Sequence, residues 1–391
     1  MNGYKEAIGR INYGLFLVVV FLLPFPQIFL RYACVIWFAF WLLEGRWLQR
    51  PKSWKENPMM IPFLLFGGWY LWNILSGLWA PDYASWAAQM ERFISFGVLI
   101  PVGIWGLNEQ YNWRQAGRVL IISCVCAVFF YLAFLTVLLY HREIIDYYQW
   151  VAPWDYSSFQ WWHFYQMNLS HVKHRLFLSS IEMFALILIP QVWPEKAHRW
   201  LRIVLTVVLV AGIVISGSRQ AILMLLVVGT AGYMMHLPKE TRLRYGRVIV
   251  LSAFVVGAAL LALHPRMQSF DLQSENRILL WKQALAQPSD YLWTGLGAGQ
   301  TGAYLTEATH CHNQYLQELM ELGIFGLLLF LGAWISVPLC AQKRGKQTAL
   351  LFTILYACNM CTDCMFAVYC GVALWSVGLL FILIQSDAAR E

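Results

Sequence analysis

The chain has 391 residues, of which 59% are hydrophobic and 13% are charged. Charged residues make up about 25% of an ordinary soluble domain, so the composition excludes a soluble globular protein and indicates a polytopic membrane protein. The net charge of +7 gives no reason to infer nucleic-acid binding, because the positions of the basic residues have a topological explanation.

About twelve stretches are candidate membrane spans, since a transmembrane helix needs about 20 mostly apolar residues. They are residues 11–25, 27–43, 59–78, 92–107, 117–140, 176–193, 201–216, 220–236, 247–263, 314–337, 348–364 and 366–386. The first stretch is not expected to be a cleaved signal peptide, because no small-residue cleavage site precedes Pro24 and further spans follow at once. The predicted fold class is all-α, with about twelve transmembrane helices in a single integral-membrane domain over residues 1–391.

Basic residues are distributed unevenly between alternate loops. If the N-terminus is cytoplasmic, 19 of the 28 Lys and Arg residues fall on the cytoplasmic side, as the positive-inside rule requires. Both termini are therefore predicted to be cytoplasmic. The two larger segments on the opposite, outer face are residues 141–175 and 264–312.

The first outer segment, 141–175, is rich in aromatic residues, most densely at 159–165. Such residues are typical of a belt at the membrane interface, although flat ring faces also suit the C–H groups of sugars. His163, His171 and His174 lie in the same segment. Their spacing fits no standard metal-ligand pattern, so no metal site is predicted.

Two charged residues stand out in the helices that follow. Glu182 lies inside an otherwise apolar span, where an isolated carboxylate is expected to face the bundle interior and find a partner. Arg175, two helical turns earlier, is a candidate partner. Arg219 lies in the sequence Ser-Gly-Ser-Arg-Gln at 216–220, the tip of a predicted outer hairpin. A basic residue that served only topology would be expected on the cytoplasmic side, so Arg219 is a candidate functional residue.

The second outer segment contains a short predicted amphipathic helix over residues 276–282, with Arg277 near its start and Trp281 further along. A glycine-rich turn follows at 295–299. No strand precedes these glycines and their spacing is not that of a dinucleotide-binding loop. Glycines nevertheless allow a backbone to turn tightly and to approach a ligand closely.

His312 and Asn313 lie at the water-facing start of the apolar run that begins at Tyr315. A histidine there either caps the helix at the interface or serves a function. Arginine offers a permanently charged planar fork for phosphate oxygens, and a neutral imidazole can accept a hydroxyl proton near neutral pH. Arg219, Arg277 and His312 therefore suit sugar transfer from a polyprenyl diphosphate to a hydroxyl, without a metal or another cofactor.

The segment 312–326, which reads His-Asn, nine residues and Gly-x-x-Gly, resembles the H-[NSQ]-x9-G-x-x-G pattern of the O-antigen ligase family. The sequence 216–219 is similar to that family's outer hairpin arginine. Arg277, with Trp281 and the glycine turn at 295–299, is similar to its large-loop arginine region. The resemblance is detailed over about residues 200–330 and extends to the twelve-span layout.

The resemblance implies an inverting glycosyltransferase of the GT-C type, which moves a glycan from undecaprenyl diphosphate to lipid A-core at the periplasmic face of the bacterial inner membrane. His312 is then the catalytic base and Arg219 and Arg277 bind the diphosphate, while Asn313 and Trp281 contribute to substrate binding. O-antigen or exopolysaccharide polymerases and protein O-oligosaccharyltransferases share this design, and they remain alternatives. A non-enzymatic lipid-linked glycan transporter is a further alternative, although a carrier is expected to have charged sites near the membrane midplane.

Overall fold

The computed structural model describes residues 2–51, 55–140, 169, 173–194, 198–262, 276–305, 308 and 310–387. Within these residues the protein is all-helical, which confirms the predicted class. The helices are α1 (Asn2–Leu22), α2 (Gln27–Glu44), α3 (Met60–Leu75), α4 (Tyr83–Arg92), α5 (Ile94–Trp105), α6 (Trp113–Tyr140), α7 (Arg175–Val192), α8 (Arg199–Ile215), α9 (Arg219–His236), α10 (Lys239–Ala262), α11 (Asn276–Ala284), α12 (Gln314–Cys340), α13 (Lys346–Met360) and α14 (Tyr369–Asp387).

Every predicted apolar stretch overlaps one of these helices. By length and apolarity, six of the described helices could cross a membrane, namely α2, α3, α6, α7, α12 and α14. Helices α4 and α5 meet at a bend of 47° and would together make a seventh span. Helices α8 and α13 have only 17 and 15 residues, fewer than the usual 20 or so. The total of about twelve spans therefore stays a prediction.

Helix α14 forms the centre of the bundle, because its side chains are buried from Tyr369 to Ser386. The ring of Trp375 packs edge-on against Phe66 of α3 and Tyr356 of α13, and it stacks on Phe352 of α13. Aromatic pairs of this kind contribute beyond the area they bury. Helix α14 also contacts α5, α6, α7 and α13.

One end of the bundle, here called the inner end, contains the loops that the charge distribution assigns to the cytoplasm. Asn108 donates to Glu44 at the end of α2, with 3.2 Å between nitrogen and oxygen. Gln191 near the end of α7 accepts from Thr348 of α13 at 2.9 Å and from Gln385 of α14 at 3.3 Å. The last turns of α7 and α14 therefore meet the start of α13 at this end.

The opposite end, here called the outer end, contains described residues of the other loops. Lys173, just before α7, donates from Nζ to the carbonyl oxygens of Leu23 and Phe25, at 3.1 and 2.9 Å. Ser76 at the end of α3 accepts from the amide of Ala298, at 2.9 Å. These contacts group described residues of several loops at each end, while the full division of the loops and the compartment that each end faces stay predictions.

Glu182 lies inside the bundle as predicted, with 1% of its surface exposed. Its partner was predicted wrongly. In the described part of the chain neither carboxylate oxygen has a hydrogen-bond partner, whereas Arg175 lies at the first residue of α7. Seven residues of helix separate the two by about 10 Å along the axis, which places Arg175 at the outer end and Glu182 well below it.

Candidate functional site

The site is built on the turn that precedes α12. Asn313 is the N-cap residue of this helix, and its side-chain oxygen accepts from the amide of Leu316 at 3.0 Å. Its amide nitrogen donates to the carbonyl of Cys361 at 3.1 Å. Both polar groups of Asn313 therefore hold the start of α12 against the loop after α13, and its predicted contact with substrate stays a prediction.

His312 directly precedes this cap in a left-handed backbone conformation, with φ of 53°. Only a few per cent of non-glycine residues adopt positive φ, and holding one there costs about 1–3 kcal/mol. The contacts of Asn313 maintain this conformation. The turn directs the His312 side chain toward the loop between α13 and α14.

The imidazole of His312 faces Asp363 in that loop. Nδ1 of His312 and Oδ1 of Asp363 are 3.4 Å apart, and their side chains are 30% and 11% exposed. The same carboxylate oxygen accepts from the amide of Cys364 at 2.8 Å, and the amide of Asp363 donates to the carbonyl of Asn359 at 2.9 Å. Asp363 is thereby fixed. A proton on Nδ1 directed at this carboxylate leaves Nε2 of His312 as the nitrogen that can accept a proton.

The charge state of Asp363 suits this role. Burial raises the pKa of Asp363, but the hydrogen bond with His312 and the positive potential of His312 and His174 outweigh burial and hold the pKa below its usual range. The carboxylate is therefore ionised near neutral pH. An ionised carboxylate can orient the imidazole and stabilise the imidazolium that forms when Nε2 accepts a proton.

A second histidine lies against the first. The rings of His310 and His312 have centroids 4.4 Å apart and meet edge to face. Burial lowers the pKa of His310, and the positive potentials of His312 and Arg92 lower it further against the opposing effect of Asp363. His310 is thus held in its neutral form, and Arg92 at the end of α4 lies close enough to affect it.

His174, at the start of α7, belongs to the same cluster. Burial lowers its pKa, and the charges of Arg175 and Arg277 lower it further, while Asp363 opposes them. Arg92, Arg175 and Arg277 lie far from one another in sequence, and all three contribute positive potential to these histidines. A region of this charge suits an anionic ligand.

Arg277 lies in the first turn of α11, and Trp281 lies four residues later, so the two share one helix face. The indole Nε1 of Trp281 donates to the carbonyl of Cys311 at 2.8 Å. Cys311 separates the two clustered histidines in sequence. Trp281 therefore holds α11, which carries Arg277, against the histidine turn.

Arg219 is the first residue of α9, where Ser218 is the N-cap residue and accepts from the amide of Ala221 at 3.3 Å. The next residue, Gln220, donates to the carbonyl and side-chain oxygens of Asn359 at 2.9 and 3.0 Å. Asn359 is also the residue to which the Asp363 amide donates. Arg219 thus begins a helix that is bonded to the last turn of α13, directly before the loop facing His312. The predicted convergence of Arg219, Arg277 and His312 around one cavity stays a prediction.

The glycine turn contacts protein backbone. Helix α12 is interrupted at Gly323, which has φ of 68° and ψ of −171°. At this break the amides of Leu296 and Gly297 donate to the carbonyls of Met320 and Glu321, at 2.8 and 2.9 Å. A Cβ on Gly323 would lie 2.2 Å from the carbonyl oxygen of Trp293. The first motif glycine therefore allows the outer segment to pack on α12.

Two buried carboxylates of α12 reinforce this packing. Glu318 accepts from the indole of Trp69 in α3 at 2.8 Å. Glu321 accepts from the amide of Gly299 at 2.9 Å and from the hydroxyl of Thr301 at 2.7 Å. Buried carboxylates are tolerated when they are bonded in this way. Glu318 thus bonds α12 to α3, and Glu321 holds the outer segment to α12, neither of which the apolar pattern of α12 indicated.

Asp363, His310 and Arg92 were not predicted as site residues. A signal for Asp363 was present, since it is an acidic residue in the apolar stretch 348–364, which was predicted to be one span. Helix α13 ends at Met360, so Asp363 lies in a loop. The predictions for His163, His171 and the aromatic run 159–165 lie outside the described residues.

Residues 204–331 match the family model described as O-antigen ligase. No curated protein matches the chain. The matched stretch contains Arg219, Arg277, Trp281, His312 and Asn313, and it confirms the resemblance inferred from the motif. The match supports an enzyme of a glycan-transferring ligase or polymerase family, and the long apolar helices support a multi-pass membrane protein.

Proposed function

We propose that the protein transfers a glycan from undecaprenyl diphosphate to a hydroxyl of lipid A-core, at the periplasmic face of the bacterial inner membrane. The observation that carries this proposal is the placement of His312 against Asp363 at the outer start of α12, in the positive potential of several arginines. The reaction requires an oriented base close to positively charged side chains.

The proposed step is a single displacement. Nε2 of His312 accepts the proton of the acceptor hydroxyl while Nδ1–H stays directed at Asp363. The acceptor oxygen forms a bond to the anomeric carbon, and the bond from that carbon to the diphosphate oxygen breaks. The diphosphate leaves with the electron pair. Attack from the side opposite the leaving group inverts the anomeric configuration.

Arg219 and Arg277 are proposed to bind the leaving diphosphate. Their guanidinium groups supply fixed positive charge and paired N–H donors for phosphate oxygens. Charge placed where the leaving group becomes more anionic lowers the barrier. This arrangement replaces the divalent cation of many sugar transferases, so the proposed reaction is independent of metal.

A lipid donor also needs a place for its tail. An apolar crevice of about 470 Å³ lies between α9 and α10. It begins at Leu223, one helical turn from Arg219, and extends to Met234. Its lining is made of Leu223, Leu226, Val227, Thr230, Ala231, Met234, Val250, Ala253, Phe254, Gly257 and Ala258. This position supports lateral entry of a polyprenyl chain with its diphosphate at Arg219.

The test uses the purified protein with undecaprenyl-diphosphate glycan in the presence of EDTA. Lipid A-core, a second lipid-linked glycan and an acceptor peptide are offered separately, which distinguishes ligase, polymerase and protein glycosylation. We expect transfer to lipid A-core. Transfer only to a different acceptor would replace the ligase proposal by the corresponding relative, and a reaction abolished by EDTA would refute the metal-independent mechanism.

Variants separate binding from chemistry. We expect His312→Ala to leave donor binding nearly intact and to lower single-turnover transfer by about a hundredfold to ten-thousandfold, the usual contribution of a positioned base. Arg219→Ala and Arg277→Ala should weaken donor binding as well as transfer. Lysine at either position should restore only part of the binding and part of the transfer, because it lacks the paired N–H donors of the guanidinium group. His236→Ala is the matched control, since His236 lies at the inner end beside Gln347.

The rate of the wild-type protein should fall as the pH is lowered, because a protonated imidazole cannot accept the hydroxyl proton. The measurement is single-turnover transfer across pH at saturating donor, with donor binding followed in parallel. Near-normal transfer by His312→Ala would show that another group is the base.

A further inference from the structure

We infer that His310, His312 and Asp363 form a binding site for a divalent transition-metal ion, for which Zn²⁺ is the best fit, and that occupancy of this site blocks glycan transfer. The metal-binding part rests on geometry alone. The blocking part rests on the proposed function, in which His312 is the base.

The distances suit a metal ion. One ligand atom from each of the three residues can be chosen so that all three lie within 4.8 Å of one another. Zinc bonds to nitrogen and oxygen are about 2.0–2.2 Å long, which places tetrahedral ligand atoms about 3.3–3.5 Å apart. Nδ1 of His312 and Oδ1 of Asp363 are 3.4 Å apart. A ring nitrogen of His310 brought to the same spacing would complete three ligand positions around one point.

The donor set determines the kind of ion. Two imidazole nitrogens and one carboxylate oxygen suit Zn²⁺, Cu²⁺ or Ni²⁺, whereas Mg²⁺ and Ca²⁺ prefer all-oxygen sites. Three protein ligands leave a fourth position open to water. Magnesium at millimolar concentration is therefore not expected to occupy the site.

The ligands are held in place before any metal binds. Asp363 is fixed by the Cys364 amide at 2.8 Å. The bond from Asn313 to Cys361, at 3.1 Å, ties the loop of Asp363 to the turn of His312. Ligands oriented by their surroundings bind a metal more tightly than free ones.

The surrounding charge limits the affinity. Arg92 lies close enough to His310 to lower its pKa, and Arg277 does the same to His174. Positive charges at this distance oppose a dication and favour an anion. We therefore expect reversible metal binding in the micromolar range, weaker than that of a structural zinc site. We also expect bound diphosphate to reduce the positive potential that the arginines exert on the metal.

A bound metal would remove the base. A metal ion on Nδ1 of His312 takes the lone pair there and leaves Nε2 carrying the ring's remaining proton, so neither nitrogen can accept one. The ion would also take the carboxylate of Asp363. Both effects stop the proton transfer that the proposed reaction needs.

The binding test uses the full-length protein in detergent, purified on a tag without histidine, stripped with EDTA and desalted. Co²⁺ is the probe, because its visible absorption reports a nitrogen- and oxygen-ligated site, and Zn²⁺ is then used to displace it. We expect one Co²⁺ per chain. His310→Ala and Asp363→Asn should each weaken binding by about tenfold or more, whereas His236→Ala should not.

The activity test adds Zn²⁺ at micromolar concentrations to transfer reactions, with every rate expressed relative to the metal-free rate of the same variant. Wild-type transfer should be inhibited and then restored by EDTA, and His310→Ala should need at least tenfold more Zn²⁺ for the same inhibition. Absence of stoichiometric Co²⁺ binding, or binding unchanged in both cluster variants, would overturn the site. Stimulation by Zn²⁺ would overturn the blocking role. A protein that binds Co²⁺ as expected but transfers no glycan would contradict the proposed function and leave the metal site standing.

Discussion

Replacing Gly323 by alanine tests whether the first motif glycine acts through the fold of the outer segment. The φ and ψ of this residue, 68° and −171°, lie in a region that is essentially restricted to glycine, and forcing another residue there costs about 1–3 kcal/mol. The added Cβ would also lie 2.2 Å from the carbonyl oxygen of Trp293. The outer segment must then move away, or the helix must straighten.

Moving the segment away breaks three backbone hydrogen bonds at the interruption. They run from Leu296 to Met320, from Gly297 to Glu321 and from Ile324 to Leu292, at 2.8, 2.9 and 2.7 Å. At about 0.5–1.5 kcal/mol each, their loss costs roughly 1.5–4.5 kcal/mol. Either route predicts that Gly323→Ala lowers the free energy of unfolding by about 1 kcal/mol or more.

The matched control is Gly332→Ala in the same helix, where an added Cβ meets nothing within 4 Å. Alanine at that helical position should be neutral or stabilising by up to about 1 kcal/mol. Thermal unfolding in detergent and single-turnover transfer are measured for both variants. If Gly323→Ala is as stable as Gly332→Ala, the structural account of the motif is refuted, and a loss of activity without a loss of stability would point instead to direct contact with substrate.

Four further substitutions test other parts of the site. Asp363→Asn should lower single-turnover transfer by about a hundredfold to ten-thousandfold with donor binding retained, and an unchanged rate would exclude Asp363 as the group that orients the base. Trp281→Phe removes the bond to Cys311 and should reduce the free energy of unfolding by about 1 kcal/mol, measured by thermal melting together with the transfer rate. Glu321→Gln should destabilise the outer segment by about 1–3 kcal/mol, which protection from proteolysis reports. Ala258→Trp should fill the crevice and raise KM for long-chain donors more than for short-chain ones, and equal effects on both would argue against a tail site.

The sequence predicts the helices well and the contacts between them poorly. Apolar runs and the two-sided distribution of basic residues follow from the membrane itself, so they can be identified without a structure. The partner of His312 could not be identified, because Asp363 lies 51 residues away in what the pattern indicates is a span. Asn313 was predicted from its motif position to bind substrate, and the structure shows its side chain engaged as a helix cap. A cap and a ligand contact use the same residue types, so only geometry separates them.

The prediction for Glu182 failed for a related reason. Its burial followed correctly from the apolar residues around it, but its partner was chosen by helical spacing alone. Helical spacing places two residues on one face of a helix, but it does not show whether their side chains are long enough to meet. The glycines at 295–299 show the same limit, since a pattern can indicate close approach but cannot say whether the neighbour is a ligand or the protein's own backbone.

The central position of α14 has a consequence for biosynthesis. This helix and the loop with Asp363 are translated after the helices that surround them, so the earlier helices enter the membrane before their common packing partner exists. Until α14 inserts, the interior faces of α3 and α13 that pack against Trp375 are unfilled. A nascent or C-terminally truncated chain should therefore be inactive and a target for membrane quality control. We expect activity to begin only when synthesis of this helix is finished.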